Sequence, residues 1–290
     1  MNELAMLMGQ TPILVYIMVT VIGVLVGSFL NVVIYRLPIM MERDWQRECA
    51  EYFPDANINI EEEVFNLVVP RSRCPECGHL IGSTENIPIF SWLFQRGRCK
   101  HCHCKISKRY PSIELLTGLL SLIVAYIIPF GWPLLFALLF TWILVCLTFI
   151  DFDTMLLPDQ LTLPLLWLGL LININGTFVG VTDAVLGAAF GYLSLWSIYW
   201  AFKLITGKEG MGYGDFKLLA ALGAWFGWQA LPLIILISSL AGAIIGVGLI
   251  LASKDKKSRP MPFGPYLAIA GWIYLVYGDV INQLYYSLVL

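Results

Sequence analysis

The sequence predicts an all-α polytopic membrane protein of about eight transmembrane helices, and two observations carry that reading. The first is composition: 58% of the 290 residues are hydrophobic, 13% are charged, and the mean hydropathy is +0.75, which excludes an ordinary soluble domain. The second is where the charge lies. The eighteen Lys and Arg fall into three groups, eleven in Arg36–Arg109, three in Lys203–Lys217 and four in Lys254–Arg259. Long stretches without a basic residue separate them. The net charge of −2 is uninformative beside this clustering, and no nucleic-acid partner is expected.

A spanning helix needs about 20 apolar residues, and basic loops stay on the cytoplasmic side. One span, about Pro12 to Val33, leads into the first basic group, so the N-terminus is expected outside. That span is expected to remain as an anchor, because residues 1–11 carry no basic charge and no small-residue cleavage site follows it. Residues 111–150 hold forty positions without Lys or Arg, enough for two crossings turning at Pro129-Phe130-Gly131-Trp132-Pro133. Residues 160–202 suit a hairpin turning near Asn173, Asn175 and Gly176, and Phe216–Ala252 suit another turning near Gly227-Trp228-Gln229. A last span starts at about Gly264. This count places every basic group inside. The expected divisions are 1–36 as the first anchor, 37–110 as a cytoplasmic domain and 111–290 as a seven-helix membrane domain.

In the first span, Gly27, Ser28 and Asn31 recur at helical spacing, a small polar stripe suited to close helix packing. In the aqueous segment, Cys74-Pro-Glu-Cys77 and Cys99-Lys-His-Cys102 form two C-x-x-C knuckles twenty-one residues apart. Each knuckle offers two sulfurs to one tetrahedral ion, and a reducing cytoplasm favours metal over disulfides. The expectation is a zinc-ribbon-like domain whose structural Zn2+ is held by Cys74, Cys77, Cys99 and Cys102. Cys104, His79, His101 and His103 crowd the same knuckles, but Cys102 and Cys104 stand one residue apart, a poorer match to the knuckle turn.

An ionisable residue at the mouth of an apolar span is a functional candidate by default. Glu209-Gly-Met-Gly-Tyr-Gly-Asp-Phe-Lys217 delivers Asp215 on a glycine-rich loop to the start of such a span. Gly210, Gly212 and Gly214 are expected to permit backbone conformations closed to other residues and to clear room for an extended peptide. Asp151 directly follows an apolar run sixty-four residues earlier and is the expected partner. Asp153 is the shallower candidate, and Asp159, after Pro158, is expected to cap the next helix. Glu114, one turn inside the second span, suits the positive end of that helix or a functional role. The prolines of Arg259-Pro-Met-Pro-Phe-Gly-Pro265 predict non-helical backbone until about Tyr266, either a wall of a cleft or a kinked start of the last span. Cys146 reads as a small buried hydrophobe; Asp183 and Asp279, near the outer ends of their spans, are given no role.

Taken together, these residues resemble the type IV prepilin leader peptidase/N-methyltransferase family, membrane aspartic proteases of the GxGD class. The resemblance rests on Gly27–Pro38, the paired knuckles, Asn86-Ile87-Pro88 with Ser91-Trp92, and Arg109-Tyr110-Pro111. It extends through Asp151 with Leu157-Pro158-Asp159, Glu209–Lys217 and Pro262-Phe263-Gly264-Pro265, nearly the whole chain. It implies a bacterial inner-membrane peptidase with Asp151 and Asp215 as its catalytic pair and Gly212 and Gly214 in the supporting loop. Its substrates would be type IV prepilins or type II secretion pseudopilins, cut on the cytoplasmic side of the bilayer lipid. It also implies S-adenosylmethionine as methyl donor for the freed N-terminal amine. No Rossmann-type loop is present, so the donor's residues stay unassigned and the aqueous segment is its expected place. A peptidase without methyl transfer is the nearest alternative. An ion-coupled transporter would not require a metal domain or a glycine loop beside an acid, and a membrane-anchored zinc-ribbon assembly factor would leave both aspartates idle.

Overall fold

The computed structural model describes residues 12–54, 63–252 and 261–289. The basic group Lys254–Arg259, Pro260, residues 1–11 and the side chain of Asp279 lie outside what is described. Among the described residues the apolar stretches are helical, no sheet forms, and two isolated bridges pair Arg73 with Leu80 and Arg98 with Lys105.

The chain divides into two compact units at Phe130 and Gly131. The first unit holds α1 (Pro12–Tyr52), the cysteine domain with its short α2 (Phe90–Phe94), and α3 (Arg109–Ile127). The 41 residues of α1 run well past the apolar segment that ends near Val33, with Pro38 inside the helix. At 1.5 Å per residue that is about 60 Å, roughly twice the hydrocarbon core. α3 packs along α1 through small residues. A Cβ on Gly23 would stand 2.5 Å from Ser121 Oγ, and one on Gly27 would stand 2.8 Å from the Glu114 Cα, so Gly23-x-x-x-Gly27 lets the backbones meet. The Asn31 amide donates to Gly27 O and Tyr110 O, each at 3.2 Å. The polar stripe is therefore a helix-packing face, and α3, which sequence groups with the later helices, packs with the first.

The second unit holds α4 (Trp132–Thr154), α5 (Asp159–Ile172), α6 (Val181–Thr206), α7 (Tyr213–Phe226), α8 (Leu231–Ala252) and α9 (Gly264–Val289). Among the described residues, eight helices besides the short α2 occupy the apolar stretches expected to hold spans. Five are long and apolar enough to cross a membrane: α1, α3, α4, α6 and the stretch Trp228–Leu249. α5 and α7 have 14 residues each, about 21 Å, short of the ~30 Å hydrocarbon core. α7 is a core helix, buried from Leu218 through Phe226, as a helix apolar on every side must be.

Two devices fix α7. α6 presses against it with Gly187 and Gly191: a Cβ on Gly191 would lie 2.6 Å from Leu219 O, and one on Gly187 would overlap the Gly223 backbone. At the far end, the fully buried Asn173 donates to Ala224 O and Trp225 O (2.9 and 3.2 Å) and accepts from the Phe178 and Val179 N–H groups (3.0 and 3.1 Å). Both its donors and its carbonyl are satisfied, which is what permits an amide to be buried there. The turn expected near Asn173 is thus also the clamp on α7. α9 begins at Gly264, two residues before the helix start expected from the prolines, with Pro265 in the first turn, where a missing N–H costs nothing.

Candidate active site

Asp151 sits in the last turn of α4. The helix ends at Met155, in the left-handed region at φ 55, and the Met155 N–H closes on Asp151 O at 2.9 Å. This reversal sends Leu156-Leu157-Pro158 back towards α5. Asp215 sits in the first turn of α7, two residues after its first position, a place where the helix N-terminus favours a carboxylate. Both acids are buried, at 4% and 7% exposure.

Leu157 and two glycines bring the separate segments together. A Cβ on Gly214 would stand 2.7 Å from Leu157 Cβ, and one on Gly264 would stand 2.9 and 3.1 Å from the Leu157 methyl groups and 2.5 Å from Asp151 Oδ2. The end of α4, the start of α7 and the start of α9 therefore meet with no room for another atom. The two buried carboxylates thus stand on segments that pack against each other through Leu157, Gly214 and Gly264. Asp151 Oδ2 is a buried side-chain atom that makes no hydrogen bond of good geometry, although the Gly264 N–H lies beside this carboxyl and acts on it. Such an atom is costly in a folded interior and is explained by a proton, water or ligand that the site is built to receive.

The loop glycines differ in what surrounds them. None of Gly210, Gly212 and Gly214 has a positive φ; the left-handed glycine here is Gly207, which ends α6 at φ 69. Gly212 has open space, its nearest would-be neighbour being Asp215 Oδ2 at 3.9 Å, whereas Gly214 lies against Leu157. Lys203 ties the loop down by donating to Glu209 Oε1 at 2.8 Å, and that ion pair, with the hydrogen bond leading, holds the Glu209 carboxyl below its usual range.

The remaining acids have other work. Asp159 makes no side-chain cap, because it is the first residue of α5 and Pro158 occupies the cap position. It accepts instead from Lys217 Nζ at 2.6 and 2.8 Å, clipping α5 to α7. Asp153 is exposed on the outer side of α4. Asp183 accepts from Trp228 Nε1 and Gln229 Nε2 at 3.0 and 3.1 Å. Glu114, buried in α3, accepts from the Ile89 N–H at 2.7 Å in the first unit. Cys146 is buried. Gly264 and Leu157 carry no titratable group, so motif chemistry passes over them; the proline-bounded Pro262–Pro265 is the only signal that marks one of them.

A second cluster lies in the cysteine domain. The sulfurs of Cys74, Cys99, Cys102 and Cys104 all lie within 4.8 Å of one another, an arrangement able to hold a metal ion. Cys77 is exposed, with its thiol beside those of Cys102, Cys74 and Cys99 but outside that mutually close set. Three of the four expected ligands thus meet, and Cys104 joins them because His103 takes φ 59 and turns the chain back after Cys102, as Gly78 does at φ 70 in the first knuckle. The Cys77 and Glu76 N–H groups bring the Cys74 thiol down to about 6, and the thiolate is the form that binds metal.

A pair of buried carboxylates among helices of which several are apolar enough to cross a membrane, in a chain that also carries a cysteine cluster able to hold a metal ion, fits the class of membrane peptidases. Two family models match the chain, the Bacterial Peptidase A24 N-terminal domain over residues 21–128 and the Type IV leader peptidase family over residues 138–247. The chain is 62% identical over 274 residues to a prepilin leader peptidase/N-methyltransferase of Aeromonas hydrophila, covering 94% of each chain. Proteins of the same description from Stutzerimonas stutzeri and Dichelobacter nodosus are 55% and 51% identical, with 96% and 95% of this chain covered and 96% of each of theirs. The chain belongs to the type IV leader peptidase family. No solved structure matches it.

Proposed function

We propose that this chain removes the basic leader from type IV prepilins and type II pseudopilins at the cytoplasmic face of a bacterial inner membrane, and then N-methylates the new N-terminal residue. The observation that carries the peptidase reading is the burial of Asp151 and Asp215 where the end of α4, the start of α7 and the start of α9 pack together, with Asp151 Oδ2 lacking a hydrogen bond of good geometry. Two carboxylates in one buried site share a proton, because both cannot ionise cheaply. The protonated member polarises the scissile carbonyl while the ionised member takes a proton from the attacking water. The positive-inside rule assigns the three basic sequence groups to the cytoplasmic side, and on that reading the dyad lies beside the basic leader of a substrate whose apolar segment is already in the bilayer.

Zinc is the metal we assign to the cysteine domain. A tetrahedral ion with Zn–S bonds near 2.3 Å separates its sulfurs by about 3.8 Å, and Cys74 stands 3.8 Å from Cys102 and 3.5 Å from Cys104. The ion would stabilise a small domain whose described residues form no sheet and little core of their own. Cys104→Ser is expected to weaken zinc binding by more than the roughly 10–100-fold typical of outer-shell losses, and Cys77→Ser to weaken it less. Zinc content of the purified variants by mass spectrometry, under a graded chelator challenge, reads this directly. Equal losses would return Cys77 to the ligand set.

Methyl transfer requires S-adenosylmethionine, which supplies an electrophilic methyl group to a deprotonated amine held in line with it. The aqueous segment 37–110 is our placement for it. A cavity of about 490 Å3 in that segment does not fit the donor. Its lining charges Arg98 and Lys100 are cationic, and its carboxylate, Glu85, is already engaged by the Gly82 N–H, His79 and Lys100. That leaves no free acid for the donor's ammonium or ribose. Incubating the purified protein with a prepilin and methyl-labelled S-adenosylmethionine is expected to give a shortened, labelled product. A shortened, unlabelled product would reduce the function to peptidase alone.

A further inference from the structure

The short helix α2 has its amphipathic pattern reversed. Its polar face turns inward: Ser91 is buried and donates to Thr84 O at 3.0 Å, Trp92 Nε1 donates to Ile106 O at 3.3 Å, and Gln95 follows with a bond to Glu85 O. Its apolar face turns outward, with Phe90, Leu93 and Phe94 at 59%, 56% and 84% exposure and Ile87 beside them at 48%. Positions 90, 93 and 94 share one helix face. Single exposed apolar side chains are ordinary on any surface; a contiguous set backed by inward-facing polar groups marks a contact surface.

Where that surface sits follows from one hydrogen bond. The Ile89 N–H reaches Glu114 Oε2, five residues into α3, a helix apolar enough to span a membrane. Five residues are about 7.5 Å of helix, so the segment before α2 is tied at the level of the first turns of a spanning helix. The tie holds a strained backbone. Ile89 takes φ 61 and ψ −53, and the Phe90 N–H bonds Pro88 O at 2.6 Å, a γ-turn of the positive-φ kind that is rarely adopted. The outward side chains of α3, Leu115, Leu116 and Leu119, are exposed in the same unit and continue the apolar character at that level.

Charge selects the kind of partner. Residues 71–109 carry eight basic and two acidic side chains. Arg98 and Lys100 line the 490 Å3 cavity together with Phe90 and Phe94, and its one carboxylate, Glu85, is shared between Lys100 and His79, so an apolar floor lies beside a wall of net positive charge, which suits a group with an apolar tail and an anionic head. We infer that α2 lies in the membrane interface, with Phe90, Leu93 and Phe94 set into the boundary between headgroups and acyl chains and an anionic phospholipid headgroup against Arg98 and Lys100. The cysteine domain is then pinned to the bilayer surface at a second point besides its helices.

The test uses the full chain reconstituted in phosphatidylcholine vesicles with or without phosphatidylglycerol. With p-benzoylphenylalanine in place of Phe94, ultraviolet light is expected to give phospholipid adducts by mass spectrometry, as it does with the same probe in place of Leu119 on α3. In parallel, Arg98→Gln and Lys100→Gln are each expected to lower the enrichment of phosphatidylglycerol over phosphatidylcholine bound to the protein by about fivefold, one charge's worth at a membrane surface. Lipid adducts at position 119 with none at position 94 would overturn the insertion, as would an adduct at 94 to added prepilin in place of lipid. Unchanged phosphatidylglycerol enrichment in both Gln variants would overturn the headgroup site. Neither arm depends on cleavage or methyl transfer.

Discussion

Asp151→Asn and Asp215→Asn are each expected to abolish prepilin cleavage, with losses at or beyond the roughly 10²–10⁴-fold that a positioned acid or base contributes. Asparagine keeps the shape of the side chain and removes the titrating carboxyl, so the residual structure should be retained while the shared proton is lost. Because the two groups act as a unit, the double variant is expected to be no worse than either single one. Asp159→Asn is the control: that residue faces outward in an ion pair with Lys217, and a half-exposed pair is worth less than about 1 kcal/mol. Cleavage should persist in it. The measurement is the rate of leader removal from a prepilin in detergent, alongside thermal unfolding to confirm that each variant is folded. Substantial cleavage in either Asp151→Asn or Asp215→Asn would remove the dyad from the mechanism.

Gly264→Ala is expected to be nearly as damaging, although glycine has no chemistry to lose. Its Cβ would stand 2.5 Å from Asp151 Oδ2 and 2.9 Å from a Leu157 methyl group, so the Asp151 carboxylate or a packed leucine must move. Leu157 has little freedom, since Gly214 closes on its Cβ from the other side. Overpacking a tight site costs about 1–3 kcal/mol in stability. A shift of about 1 Å in a reacting group costs about 10²-fold in rate, and we expect at least that. Gly212→Ala provides the contrast. At φ −83 and with nothing nearer than 3.9 Å, alanine fits there, and cleavage should change by less than a factor of a few, on the order of 1 kcal/mol in barrier. Equal activity in Gly264→Ala and Gly212→Ala would show that the junction of α4, α7 and α9 is looser than these distances require.

The two glycine results separate what the loop motif signals from what it does. Read along the chain, Gly210, Gly212 and Gly214 look like a set with one purpose, backbone freedom. In the fold they differ: Gly212 is open, Gly214 meets Leu157, Gly210 meets the Phe202 ring, and none takes a positive φ. The position that most tightly constrains Asp151 is Gly264, nearly fifty residues from Asp215 and more than a hundred from Asp151. Spacing along a chain carries no information about such a contact. The same limit governs the thiols. The C-x-x-C repeat gives the cluster and three of its close members, while the backbone reversal at His103 decides that Cys104 stands nearer the set than Cys77.

By itself the sequence determined what is local and additive: apolar runs long enough to become helices, basic groups that divide them, thiols at knuckle spacing, and two acids placed where an apolar run ends or begins. These follow from hydropathy, charge and turn geometry, each of which is a property of a few consecutive residues. The tertiary structure alone decided how the helices pair, because α3 meets α1 and α6 meets α7 through glycine stripes whose complementarity exists only across space. It also decided that α5 and α7 are short and α1 long, and that Leu157, Gly214 and Gly264 close around a buried carboxylate. Packing excludes atoms by distance, and the distances that shape this site join segments that the chain keeps far apart.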